Sequence, residues 1–254
     1  MPDQNYILII RPKNCHYCGN GFYALAHAIE QIKNLSMNPN LQIIDLSAEQ
    51  ADNPYIIDTI NQYDPLLVIS FGHGNTTVYT ADSENPVFTM ENIDILAGRI
   101  WHTLSCLVGA KLGPEMVKRG GLAFSGYEQE WTWVVYGTTE DDPYEDKYAK
   151  GFYISDNQCS ITLAITLDIK KASEEAIKEY NRWIDYWIEN PDDDENAVEI
   201  AKWLIWDRDA YVVFVYQAEH IAKPSPLLPL AIMGLPVLLG LTVSAKHSEF
   251  TISK

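Results

Sequence analysis

An imidazole and a thiol close two strongly apolar runs in this chain, and together they are the groups of a sulfur nucleophile and its base. The first run reads Asp64-Pro-Leu-Leu-Val-Ile-Ser-Phe-Gly-His73-Gly74, and the second reads Ile100-Trp-His-Thr-Leu-Ser105-Cys106. An imidazole titrates near neutral pH, so His73 can take the thiol proton and return it to a leaving amine while the sulfur attacks a carbonyl. Gly74 has no Cβ, which lets a substrate backbone come close and leaves its own amide exposed. With the amide of Cys106 it would form an oxyanion hole, in which one donor is worth about 2.7–4 kcal/mol. A helix expected from Gly109 to Arg119 would point its N-terminal dipole at Cys106 and favour thiolate.

The remaining histidines fit this chemistry less well. His102 precedes Cys106 by four residues on the same strand, about 13 Å away, and reads as structural. His27 falls inside a helical pattern, and His220 and His247 flank an apolar tail. A second thiol pair, Cys15-His-Tyr-Cys18, lies after a strand and before a helix, where a thiol pKa is lowered. The tetrad resembles the Cys-Pro-Tyr-Cys of glutaredoxins. Three readings stay open for it: a structural loop, a redox or regulatory pair, or metal ligands with His16. Structural zinc normally takes four ligands and no second cluster is apparent, so neither a metal nor a cofactor is expected. A combined reading is that oxidation of Cys15 and Cys18 stiffens a loop beside the His73/Cys106 site.

Strand ends require strands, and the pattern supplies them alternating with helices. Tyr6–Ile10 is an apolar run, followed by helical spacing from Gly21 to Ile32. Gln42–Leu46 gives a second strand, and Tyr55, Ile56, Ile57 and Ile60 a second helix. Leu66–Phe71 is the third strand. Residues 76–90 read as a hairpin or irregular insertion, Ile93–Ala97 as a short helix, and the run into Cys106 as the fourth strand. After the helix stopped by Gly120-Gly121, Leu122–Phe124 begins a fifth strand. Thr138–Lys150 is acidic and aperiodic, an expected exposed loop and a natural processing site. Ala176, Ile177, Tyr180, Trp183, Ile184, Trp187 and Ile188 mark an amphipathic helix ending before Pro191. Ala197–Leu204 predicts a further helix and Ala210–Tyr216 a sixth strand. This alternation implies a mostly parallel sheet.

The bulk properties agree with a folded, non-nucleic-acid-binding protein. With 254 residues the chain can bury a sizeable core without disulfides or metals. Its formal charge of −17, from 35 acidic and 18 basic residues, repels phosphate backbones and suits basic peptides. Four cysteines do not make a secreted disulfide framework, and Met1–Asn5 has no basic leader region. The expected compartment is the cytoplasm. Residues 224–245 carry no charge. They are long enough to span a membrane, yet prolines and glycines interrupt them, so anchor and protein-docking segment are both open.

At Phe71-Gly-His73-Gly74 and Leu104-Ser105-Cys106 the sequence resembles the caspase, gingipain and legumain group of cysteine peptidases. Their pattern is an apolar strand ending in His-Gly and a later one ending in Ala/Ser-Cys. The separation of 33 residues is most similar to the gingipain-type branch, as is the stretch Gly109–Gly126 that follows. The resemblance implies a caspase-like three-layer α/β sandwich with a central sheet of about six strands over residues 1–222. Residues 223–254 would then be a hydrophobic C-terminal tail. It further implies a dyad of His73 and Cys106, oxyanion donors at Gly74 and Cys106, a peptide or protein substrate, and no metal. Glu128, Glu130 and Trp131, with Trp133, follow the fifth strand where relatives build part of the substrate pocket. Leu104 replaces the acidic residue that some basic-specific relatives carry two positions before the nucleophile. The expected function is peptide-bond hydrolysis. Its alternatives are thiol–disulfide exchange at Cys15 and Cys18, and a non-catalytic caspase-like interaction module.

Overall fold

Apolar runs without alternation make strands covered on both faces, and they lie at the centre of the sheet here. This is a computed structural model, and it describes residues 5–216 apart from 84, 192 and 193. Its strands are β1 (Asn5–Arg11), β2 (Leu41–Ser47), β3 (Leu67–Phe71), β4 (His73–Gly74), β5 (Val78–Thr80), β6 (Pro86–Thr89), β7 (Ile100–Leu104), β8 (Ala123–Tyr127) and β9 (Tyr211–Val215). Its helices are α1 (Gly19–Leu35), α2 (Tyr55–Tyr63), α3 (Leu112–Lys118), α4 (Ala149–Thr166), α5 (Ile169–Glu189) and α6 (Ala197–Ala210). Six strands form the main sheet in the order β2-β1-β3-β7-β8-β9. All neighbours run parallel except β8 and β9. Every residue of β3, β7 and β8 is buried.

Alternate residues of these strands feed two separate cores. Ile7, Ile9, Leu67, Ile69, Ile100 and Leu104 pack with α1, α4, α5 and α6, whereas Leu8, Ile10, Val68, Trp101 and Phe124 pack with α2, α3 and the hairpin. The fold is therefore an α/β sandwich of three layers. β4, β5 and β6 make a small antiparallel sheet, so the insertion expected at 76–90 is a hairpin that recruits His73 and Gly74 as a third strand. The described residues belong to one unit that ends at Tyr216. The expected tail, including 224–245, and the proposed boundary at 222 lie outside the described residues. No described helix is long and apolar enough to cross a membrane.

Several expectations change in detail. α4 has no counterpart in the periodicity reading, because it is buried on nearly every side, with Ser155, Asp156, Asn157 and Ser160 inside as well as its apolar residues. The helix expected over Gly109–Arg119 is a 3-10 turn, Val108–Ala110, followed by the short α3. The segment expected as an exposed loop at 138–150 is partly buried and tied down at both ends. Asn20 bonds the carbonyls of Thr138, Thr139 and Asp141. His27 pairs with Asp142 at 2.8 Å. Buried Asp146 accepts the amides of Tyr136, Gly137, Tyr148 and Ala149. Four amide bonds to one carboxylate hold both ends of the loop.

Candidate active site

The site grows from the register of two neighbouring strands. β3 pairs with β7 so that Phe71 faces Leu104, and His73 and Cys106 each lie two residues beyond that pair. They therefore leave the sheet at the same level of its carboxyl edge. The edge lies beside the β1–β3 boundary, where the strand order reverses and crevices form in open α/β sheets. Past Phe71 the Gly72 amide still donates to the Leu104 carbonyl at 3.3 Å. Gly74 then presses against the nucleophile loop: a Cβ there would sit 2.5 Å from Ser105 Oγ and 2.9 Å from the Cys106 carbonyl, and would collide with Val108. Only a residue without a side chain fits so close.

The amides of this pair of loops have a defined orientation. Asn75 donates to the Val78 carbonyl at 2.9 Å. Hydrogen-bonded and non-bonded pairs alternate along an antiparallel ladder, so Gly74–Tyr79 is a non-bonded pair and the Gly74 amide points away from β5. It is free to face a ligand.

His73 and Cys106, both half-buried, do not hydrogen-bond one another. His73 Nε2 donates to the His16 carbonyl at 2.7 Å, and the Cys106 thiol reaches the Trp131 carbonyl at 3.8 Å. Burial pushes the Cys106 thiol above its ordinary range, the charge of Glu130 pushes the same way, and backbone hydrogen bonding around Trp131 offsets part of this. The expectation of a dipole-stabilised thiolate is not met. Leu107 turns left-handed at φ 62°, the 3-10 turn intervenes, and α3 does not begin until Leu112, so Cys106 does not lead directly into a helix.

Cys15 and Cys18 form a disulfide across the start of α1. Their loop is clamped by Asp82, which accepts the amides of Lys13 and Asn14 at 2.7 Å each. Cys18 Sγ lies 3.9 Å from His73 Nε2. Among the described residues, the potential metal-ligating atoms of Cys15, Cys18 and His73 lie within 4.8 Å of one another. His16 contributes its carbonyl to His73 rather than its ring to the cysteines. Fifty-five residues separate Cys18 from His73, so no local spacing signals this group. Only the adjacency of β1 and β3 brings it together.

A similar solved structure is that of the Arg-specific cysteine proteinase gingipain R, at 14% identity and a TM-score of 0.45. The match covers 83% of this chain and 46% of that one, so this chain spans less than half the length of that protein. No family model matches the sequence, and no curated protein matches it.

Beyond the strand ends, the segment after β8 forms the far wall. Glu128 and Glu130 are exposed, whereas Trp131 is buried and stacks on Trp133 with ring centroids 5.2 Å apart. The Trp131 indole donates to Tyr180 at 3.3 Å, the hydroxyls of Tyr180 and Tyr127 are 2.9 Å apart, and Tyr127 donates to Asp156 at 2.7 Å. Asp156 Oδ2 in turn stands 3.4 Å from the Nε2 of fully buried His102, at ion-pair distance but outside hydrogen-bond geometry. His102 Nδ1 meets Ser125 Oγ at 2.9 Å. Burial works against an imidazolium at His102, but Cys159 and Asp156 overcome it and its pKa is raised. This polar run joins β7 to the residue whose carbonyl receives the Cys106 thiol. Composition and spacing do not reveal it, since its members come from β7, β8, α4, α5 and the segment that holds Trp131.

Proposed function

We propose that the chain is a cysteine endopeptidase in which Cys106 is the nucleophile and His73 the general acid and base. The observation that carries the reading is the shared strand-end level of the two residues, with Gly74 packed against Ser105 and Cys106. A scissile carbonyl entering between the loops meets the sulfur on one side and the imidazole on the other. His73 takes the thiol proton as sulfur attacks, and the amides of Gly74 and Cys106 receive the developing oxyanion. Collapse of the tetrahedral species breaks the C–N bond, and the His73 proton passes to the leaving amine. Water, deprotonated by His73, then cleaves the thioester and restores the thiol. Because the resting sulfur is held as a neutral thiol, proton transfer belongs to the substrate-bound state. Glu128 and Glu130 are assigned to substrate contact at the exposed rim; Trp131 acts from behind it, through its carbonyl on the thiol.

The test is a panel of peptidyl electrophiles followed by mapping of the modified residue. Label should appear on Cys106, and Cys106→Ala should remove both labelling and peptide cleavage, with cleavage down by at least about a thousandfold. Cleavage that persists in Cys106→Ala would reject the dyad. The Cys15–Cys18 disulfide favours a second reading, thiol–disulfide exchange. Cys15 and Cys18 are 5% and 0% exposed, which leaves little room for a partner thiol to attack, and Cys15→Ala should leave peptide cleavage intact.

A further inference from the structure

From the Cys15, Cys18 and His73 group we infer that the reduced protein holds a zinc-class divalent ion there, and that the ion takes the imidazole out of service. The metal site stands on its own geometry; the loss of activity rests on the proposed role of His73. Tetrahedral zinc, with bonds of about 2.3 Å to sulfur and about 2.0 Å to imidazole, places such ligand atoms about 3.5–3.8 Å apart. Cys18 Sγ and His73 Nε2 are already 3.9 Å apart and all three ligand atoms fall within 4.8 Å, while the two sulfurs, bonded to each other here, move apart to that spacing once reduced. Two thiolates and one imidazole form a donor set that suits zinc among the divalent ions. The group has three side-chain ligands; a fourth position is left for water, so the ion exchanges and does not hold the fold together. Asp82 fixes the loop before Cys15 from outside the group, through bonds that do not involve the disulfide.

The chemistry couples occupancy to redox state. A dithiol reductant supplies two electrons and two protons, the Cys15–Cys18 S–S bond breaks, and the reductant's own S–S bond forms. Zinc then replaces the two thiol protons, which go to solvent. The His73 ring proton moves from Nε2 to Nδ1, so that Nε2 can bind metal and no longer donates to the His16 carbonyl. In the oxidised state the sulfurs are bonded to each other and the site is closed to metal.

The experiment uses the full chain, reduced, freed of reductant under anaerobic conditions and titrated with Co2+ alone. Reduced wild type should bind one ion per chain with an intense thiolate-to-cobalt charge-transfer absorption and tetrahedral d–d bands. Oxidised protein and Cys15→Ser/Cys18→Ser should show neither. Loss of second-shell partners alone costs about 10–100-fold in metal affinity, so His73→Ala and His73→Gln should weaken binding by at least about tenfold and shift the d–d bands. Circular dichroism of each variant distinguishes misfolding from loss of a ligand. Cys106→Ala should leave the spectrum unchanged. Absence of charge transfer in folded, reduced wild type would overturn the site, as would an unchanged spectrum and affinity in both folded His73 variants. In a parallel arm, one equivalent of Zn2+ should suppress electrophile labelling of Cys106 in reduced wild type but not in Cys15→Ser/Cys18→Ser. A normal cobalt spectrum with undiminished labelling would keep the metal site and remove His73 from the proposed dyad.

Discussion

Cys106 lies between a glycine that cannot grow and a tryptophan carbonyl that receives its thiol, and each neighbour sets a measurable property. Gly74→Ala puts a methyl against Val108 and Ser105; overpacking of this kind costs about 1–3 kcal/mol. It also displaces the amide assigned to the oxyanion, so kcat should fall by about a hundredfold or more with little change in KM. A variant with a lower melting temperature but full kcat would remove Gly74 from the oxyanion role. The thiol itself, held high by burial and by Glu130, should be alkylated by iodoacetamide with a midpoint above the roughly 8.5 of a free cysteine. Glu130→Gln removes a nearby negative charge and should move the midpoint to lower pH. A wild-type midpoint at or below the free value, read from the Cys106 peptide, would contradict this account. That His73 and Cys106 follow strands was legible because each closes an apolar run into small residues, and those strands are neighbours. The approach of His73 to Cys18 was not, since it depends on which strands become neighbours.

The elements around the site divide by how much of their burial shows in sequence. α5 buries Ala172, Ala176, Tyr180, Trp183, Ile184 and Trp187 along one face and exposes the other, so its period was readable. α4, enclosed on nearly all sides, has no polar face to create a period. The polar groups it carries inward meet another buried acid, Asp207 at the end of α6, which accepts the Thr132 amide at 2.9 Å through one oxygen and leaves the other unpartnered. Burial, helped by Asp156, raises the Asp207 pKa far above the ordinary carboxyl range. The folded state therefore keeps the proton that the unfolded chain loses above about pH 3.9, and stability falls as pH rises from there toward the folded value. Asp207→Asn removes this loss. Its unfolding free energy from urea titration should match wild type near pH 4 and exceed it increasingly toward pH 7, by up to about 1.4 kcal/mol per pH unit. Free energies that keep a constant difference across that range would show that Asp207 is ionised in the fold.

At the scale of the molecule, the net charge of −17 acts on whatever approaches the exposed Glu128 and Glu130. The Debye length shrinks from about 30 Å at 0.01 M salt to about 3 Å at 1 M. kcat/KM for a lysine-rich peptide should therefore fall across that range while an uncharged analogue changes little; equal salt response of the two would exclude long-range steering. The strand order could be anticipated only as a mostly parallel sheet, because the antiparallel return of β9 is set by its ladder with β8 rather than by any local pattern. That return has a topological consequence for the segment tied down between Tyr136 and Ala149. A backbone cut near residues 142–145 would give two fragments, one ending after β8 and the other beginning before α4, yet β9 of the second fragment would remain the hydrogen-bonded neighbour of β8 in the first. The covalent chain would be severed without the molecule coming apart, and the halves would separate only when the sheet itself unzipped.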